Sequence, residues 1–360
     1  MSNQAEYHII SNFLYKNPDI LIGGSANLML NNIQSKYQNQ NYKKFLISRF
    51  KFEKPDNFFS NCFNVKLKAP ISKLPLVKDI FFVYGAMKIC NKNIRDKDKI
   101  NIHIGMYEYI PFFIFFLKLF SFRNEIIISL YCPPSDKMLS RLSAKFLNIN
   151  PFQNLKIEVL SLNIRSILKY IGIKGKISQM RSIARFKNNY KIKNIEFSRR
   201  NEFLFVGNLK PDKGLDIFLD ALGKLQTNDS VKVTILTEKT SLSPNDIMSM
   251  YGYEARDNVI IEWIEICESI YELYENHKFI IFPWRHTYGP SDYPVALMEA
   301  ICLGCIPICS QISGNLELSY KYDNVLIYED KKLDRFLENV LSKKFDSKLI
   351  SEKYINTFMS

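Results

Sequence analysis

One stretch, Ile280 to Leu318, limits what this chain can fold into more than any other. Ile280, Ile281 and Phe282 form an apolar run closed by Pro283. Pro294 to Leu303 has helical character, with Val295, Met298 and Cys302 on one stripe. Ile306 to Cys309 is a second short apolar run, after which Gly314 is expected to open a loop. Strand, helix and strand at this spacing make a βαβ unit of a parallel sheet. Between the first strand and the helix lies a long polar and aromatic loop, Trp284 to Asp292. Ligands of open α/β sheets bind where strand ends meet helix starts.

The start of that helix suits an anion. Pro294 fits the first helical position, where its missing N–H costs nothing. Ser291 or Asp292 can cap the first turn. The free N–H groups and the helix dipole favour a phosphate. Glu299 lies more than a turn inside, among apolar neighbours, and needs a partner. A ribose diol would serve, because a carboxylate accepts both hydroxyl protons. The pattern also fits an ordinary sheet protein in which Asp292 only caps and Glu299 is solvated.

A second segment repeats the logic. Glu202 to Gly207 reads as a strand, Asn208 to Gly214 as a loop and Leu215 to Leu225 as a helix. Lys213 stands at the helix start, so a diphosphate would sit between its ammonium and the helix amides. Gly207 and Gly214 allow close backbone approach. Nearer the N-terminus, Gly23 and Gly24 precede a helical run from Asn27 to Tyr37, either as turn chemistry or as a backbone cradle for a ligand.

The two segments together resemble the donor-binding region of the glycosyltransferase group 1 family. Leu297 to Gly304 is similar to the family's "LEAMACG" helix, Ile306-Pro307-Ile308 to its "xPVV" strand, and Gly314 to Glu317 to its "GGxxE" turn. Gly207 to Gly214 resembles its "VGRLxxxKG" motif, with Lys213 as the lysine and Asn208 where an arginine is usual. The family's first glutamate falls at Ser291, with Asp292 beside it. The resemblance implies a GT-B fold of class α/β: two Rossmann-like domains with parallel sheets facing across a cleft. It also implies retaining sugar transfer. Lys213 would hold the donor diphosphate and Glu299 the ribose hydroxyls. Ser291 or Asp292 would contact sugar hydroxyls, the 292–296 backbone at Tyr293, Pro294 and Val295 would face phosphate or sugar, and Gly23 and Gly24 would face the phosphates.

The first half is less explicit. Ile100 to Ile104 is a strand carrying His103, either a strand-end histidine or, by resemblance, the histidine of the family's "DVVHVH" strand. Glu125 to Leu130 is a buried-type strand; Tyr131 follows it where many family members have a histidine, which implies an acceptor-side role for both residues. Tyr7 to Tyr15, Lys43 to Phe50, Asn64 to Leu67 and Ile157 to Leu160 are further strands. Asp79 to Cys90 and Ile164 to Tyr170 are helices. Tyr109 to Phe122 is a very apolar segment, too short to span a bilayer, which needs about 20 residues. It is read as a core helix, with a lipid-touching outer face as the alternative. Asp136 to Phe146 is a basic amphipathic helix. The polar, basic stretch Ser178 to Arg200 is the expected linker.

Charge divides the chain the same way. Residues 1–200 hold 33 Lys/Arg and 12 Asp/Glu, a balance of +21, while residues 201–360 hold 16 and 24, a balance of −8. A basic half suits a phosphate-bearing acceptor or an anionic membrane surface; nucleic acid is disfavoured because no binding motif appears. No apolar run is long enough to cross a bilayer, and the start lacks a signal peptide. Seven scattered cysteines suit a reducing compartment. Cys302, Cys305 and Cys309 are read as small core residues rather than zinc ligands.

The expected organisation is therefore residues 1–190 as an acceptor-side domain, 191–345 as a donor domain and 346–360 as a helix returning to the first. The expected activity is hexosyl transfer from a nucleotide-sugar to a glycan or polyprenyl-diphosphate-linked acceptor, in surface polysaccharide or lipopolysaccharide assembly. It needs no cofactor and no metal, and takes place in the cytoplasm at the inner face of the membrane. The rival readings are a non-catalytic GT-B scaffold, a basic nucleic-acid binder and a nucleotide-sugar epimerase, the last lacking a visible acid/base pair.

Overall fold

The computed structural model describes residues 4–10, 29, 33, 43–48, 59–65, 75–135, 137–148, 155–180, 192–193, 195–237, 240–265, 267, 269–285, 294–329 and 332–342. The chain divides into two compact units, the first on Met1–Ser182 and the second on Ile183–Thr287 with Tyr293–Ser360. Gly23, Gly24, Ser291, Asp292, Tyr293 and the expected 346–360 helix lie outside the described residues.

The first unit is built on seven strands: β1 (Ala5–Ile10), β2 (Lys43–Ser48), β3 (Asn61–Asn64), β4 (Lys99–Ile104), β5 (Glu125–Leu130), β6 (Leu155–Val159) and β7 (Ile177–Gln179). They lie in the order β3-β2-β1-β4-β5-β6-β7, and every pairing is parallel. Helices Pro75–Asn93, Ile110–Leu119, Met138–Lys145 and Leu162–Tyr170 connect them. Covered on both faces, the inner strands become nearly continuous apolar runs, as in EIIISL of β5. Strand order reverses between β1 and β4.

The second unit repeats the plan with six strands: β8 (Asn201–Val206), β9 (Val231–Leu236), β10 (Val259–Ile264), β11 (His277–Phe282), β12 (Ile306–Ser310) and β13 (Leu326–Tyr328). The order is β10-β9-β8-β11-β12-β13, again all parallel. Its core joins Phe203 and Phe205 of β8, Phe279 and Ile281 of β11, and Phe218 and Leu222 of the helix Leu215–Lys224. The order reverses between β8 and β11, which brings the loops after Val206 and after Phe282 side by side.

Several boundaries differ from expectation. The third strand falls on Asn61–Asn64 rather than on Asn64 to Leu67, and Ser178 and Gln179 belong to β7 rather than to a linker. Arg200, expected in a solvated run, is buried. Its guanidinium donates to the carbonyls of Leu303 (3.2 Å) and Gly304 (2.9 Å), closing the C-terminal end of the helix Val295–Cys302. Gly314 does not open a loop. It lies in the helix Ser313–Lys321, which follows β12 directly because Leu318 and Asn315 are buried and Asn315 donates to the carbonyl of Ser310.

Candidate active site

The two loops at the reversal point of the second sheet are joined atom to atom. Gly214 has φ of 70°, and a Cβ there would meet the carbonyl oxygen of Pro283 at 1.9 Å. Only glycine satisfies both the left-handed backbone and the space. On the other side Arg285 donates to both carboxylate oxygens of Asp216, at 2.9 and 2.5 Å, and also to the carbonyl of Pro211. The Arg285 N–H donates to the carbonyl of Asp212 at 3.1 Å. The turn Pro211–Lys213 is thus gripped from both ends by residues that follow β11.

Lys213 emerges from this turn. Its ammonium sits 4.0 Å from the centre of the Trp284 ring, a cation–π contact. Trp284 is buried; its carbonyl accepts from the Ser310 hydroxyl at 2.6 Å, and its ring meets Phe282 edge-on. Burial holds the Lys213 ammonium down to about 8; Asp212 raises it and Lys210 lowers it further. Among the described residues no carboxylate pairs with it. An indole face orients the charge without neutralising it.

Glu299 is the complementary case. It lies on the helix Val295–Cys302, 9% exposed, and burial pushes its carboxyl up to about 8. Among the described residues no cation acts on it. Burial holds the phenol of Tyr274 well above the usual tyrosine range, and the Glu299 carboxylate pushes it further in the same direction. Pro294 is the N-cap of this helix, not its first residue as expected; its carbonyl accepts from the N–H groups of Leu297 (3.2 Å) and Met298 (3.3 Å). Val295 opens the helix.

The remaining expected residues divide. The Gly207 N–H is spent on the carbonyl of Leu236, and the Asn208 side chain accepts from the Lys210 N–H at 3.4 Å, so both shape the loop. Cys302, Cys305 and Cys309 are buried, with burial pushing the Cys302 thiol up to about 12. Among the described residues no group of His, Cys, Asp or Glu could hold a metal ion. Trp284, Arg285 and Arg200 carry structural weight that was not visible in the sequence.

In the first unit His103 and Tyr131 are brought together. The Tyr131 hydroxyl is 2.9 Å from His103 Nδ1, and His103 Nε2 is 3.2 Å from His8 Nδ1. The carboxylate of Glu6 is 3.8 Å from His8 Nε2. All four side chains are buried. They form a polar chain from β1 through β4 to the end of β5, and His8 and Glu6 are members that sequence reasoning did not single out.

Residues 186–352 match the profile of the family Glycosyl transferases group 1. The described part of the matched stretch falls within the second unit. Solved GT-B glycosyltransferases share the fold of the whole chain. Sucrose-phosphate synthase from Thermosynechococcus elongatus superposes with a TM-score of 0.70 at 12% identity, covering 99% of this chain and 95% of its own. The lipopolysaccharide outer core galactosyltransferase WaaB matches with a TM-score of 0.65 at 15% identity, covering 98% and 95%. HepE from Anabaena, solved with UDP-glucose, matches at 0.61 and 12%, covering 98% and 99%. A search of curated proteins found no match. The matched stretch holds Lys213 and Glu299; the family match does not extend over the unit that holds His103 and Tyr131. No helix among the described residues is long and apolar enough to cross a membrane.

Proposed function

We propose that this protein transfers a sugar from a nucleotide-diphosphate donor to a hydroxyl of a glycan or polyprenyl-diphosphate-linked acceptor, with retention, in surface polysaccharide assembly. The observation that carries the reading is a pair of groups at the reversal point of the second sheet, the half-buried Lys213 and the buried Glu299. Among the described residues Lys213 is a cation with no carboxylate paired to it, and Glu299 a carboxyl with no cation paired to it. They are not partners of each other, so a ligand with an anion at one end and a diol at the other fits them better than any ion pair would. A nucleoside diphosphate has that layout, and HepE, a protein of the same fold, binds UDP-glucose.

The chemistry follows from charge. Departure of a diphosphate from an anomeric carbon builds negative charge on the leaving oxygen. A fixed ammonium and the free amides at the start of the Glu299 helix offset it. Bound phosphate raises the Lys213 ammonium from its free value near 8, so the lysine is charged when the donor is in place. Glu299, neutral below about pH 8 in the free protein, donates one hydrogen bond to a ribose diol and accepts the other; ionised, it accepts both. Retention is assigned to a front-face path in which the departing phosphate takes the acceptor proton, and no metal is needed.

The test is donor-dependent transfer or donor hydrolysis across UDP-, GDP- and other activated sugars, preceded by a nucleotide-induced melting shift. A selective shift that Lys213→Ala and Glu299→Ala both abolish supports the reading. A melting temperature indifferent to every nucleotide sugar returns the protein to a scaffold role.

A further inference from the structure

The helix Met138–Lys145 is built inside out. Its buried face consists of Ser140, Ser143 and Ala144, while its large apolar side chains point to solvent. Met138 is 75% exposed and Leu139 62%, with Leu142 and Phe146 also exposed. Positions 138, 142 and 146 are one turn apart, so they form a single ridge. Basic residues run along the same face: Lys137, Arg141 and Lys145 are exposed. Among its described residues the helix carries no acidic side chain; Glu108, on the turn Tyr107–Tyr109 packed against it, is a nearby carboxylate, and Asp136 precedes Lys137 in the sequence. The neighbouring helix Ile110–Leu119 packs beside it and adds Phe115 and Leu119, about 60% exposed each, with Lys118 between them.

Soluble helices turn small residues outward and large apolar ones inward; the reversal in the helix Met138–Lys145, beside a second helix that also exposes Phe115 and Leu119, marks a surface meant to be covered. We propose that this face docks on an anionic lipid surface, the apolar ridge entering the headgroup boundary and Lys137, Arg141 and Lys145 meeting lipid phosphates. A second copy of the chain fits less well, because it would press the same basic row against itself. The proposal extends the lipid-linked acceptor reading by naming the surface that would bring the protein to such an acceptor.

The experiment is co-sedimentation of the full-length protein with vesicles of phosphatidylcholine alone, and of equal parts phosphatidylcholine and phosphatidylglycerol. Binding is expected to the mixed vesicles only and to weaken with salt. Lys137→Gln with Lys145→Gln should lower it about fivefold per charge removed. Leu139→Glu with Leu142→Glu should lower it at least about tenfold, at positions whose side chains are largely outside the core. Equal binding to both vesicle types, binding unchanged by Leu139→Glu with Leu142→Glu, or a dimer that this pair converts to monomer without vesicle binding would overturn the proposal. Each variant is also scored for the nucleotide-induced melting shift. Lost vesicle binding with an intact shift isolates the docking face; a missing shift with intact vesicle binding counts against the transferase reading alone.

Discussion

The two sheets of this protein share one plan and treat buried polarity in opposite ways. In the first unit His8, His103 and Tyr131 are sunk in the sheet within hydrogen-bonding reach of one another, and Glu6 brings a carboxylate to 3.8 Å from His8. In the second, the half-buried Lys213 and the buried Glu299 have no opposite charge paired with them among the described residues, and each is pushed toward its neutral form. Polar groups buried in contact with one another rigidify a fold; a charge buried without a paired opposite charge costs stability. The difference favours the second unit for the ligand work proposed above.

Substitutions can break this contrast, beginning with the most severe. Gly214→Ala drives a methyl into the Pro283 carbonyl and forces a left-handed backbone, so a loss of about 4 kcal/mol or no folded protein is expected in chemical denaturation. Lys213→Ala should cut transfer by about 10²–10³-fold while leaving the fold intact, read by steady-state kinetics. Nucleotide affinity of the unaltered protein should hold below about pH 8 and fall up to tenfold per unit above it, as the free ammonium loses its proton. A flat profile through pH 9.5 would remove Lys213 from the site.

The stability tests sharpen the contrast from both sides. The Glu299 carboxyl titrates higher in the folded than in the unfolded chain, so its contribution to stability falls as pH rises from about 4.5 to about 8. Glu299→Gln should therefore match the unaltered protein near pH 4.5 and exceed it by about 2–3 kcal/mol above pH 8. Tyr131→Phe should do the reverse in the first unit. It deletes a hydroxyl that His103 uses, and about 1–2 kcal/mol of stability should go with it at neutral pH. A Glu299→Gln protein that is less stable at pH 8.5 would mean that Glu299 is already satisfied.

Much of the fold was legible because parallel strands covered on both faces leave an unmistakable record. Runs such as Phe203 to Val206 and Phe279 to Phe282 admit no other use beside a Gly- or Pro-marked turn. The helix Ser313–Lys321 was missed because Ser-Gly-Asn is turn chemistry on local grounds, and only burial of Asn315 and Leu318 overrides it. The placement of Lys213 just before a helix, and of Glu299 among apolar neighbours, was legible through spacing against those turns. Trp284, Arg285 and Arg200 were not, since their roles rest on partners 69 to 104 residues away. His8 was hidden for the same reason: nothing local says that β1 lies against β4.

The lock between Gly214 and Pro283, reinforced by Arg285 on Asp216, has a consequence for anyone recombining such domains. The two loops are one unit of exchange. A graft that imports a foreign Asn208-to-Lys213 segment without its matching proline, tryptophan and arginine would leave the lysine with nothing to lean on. Chimeras ought to take both loops from a single parent, even though some seventy positions of sequence separate them.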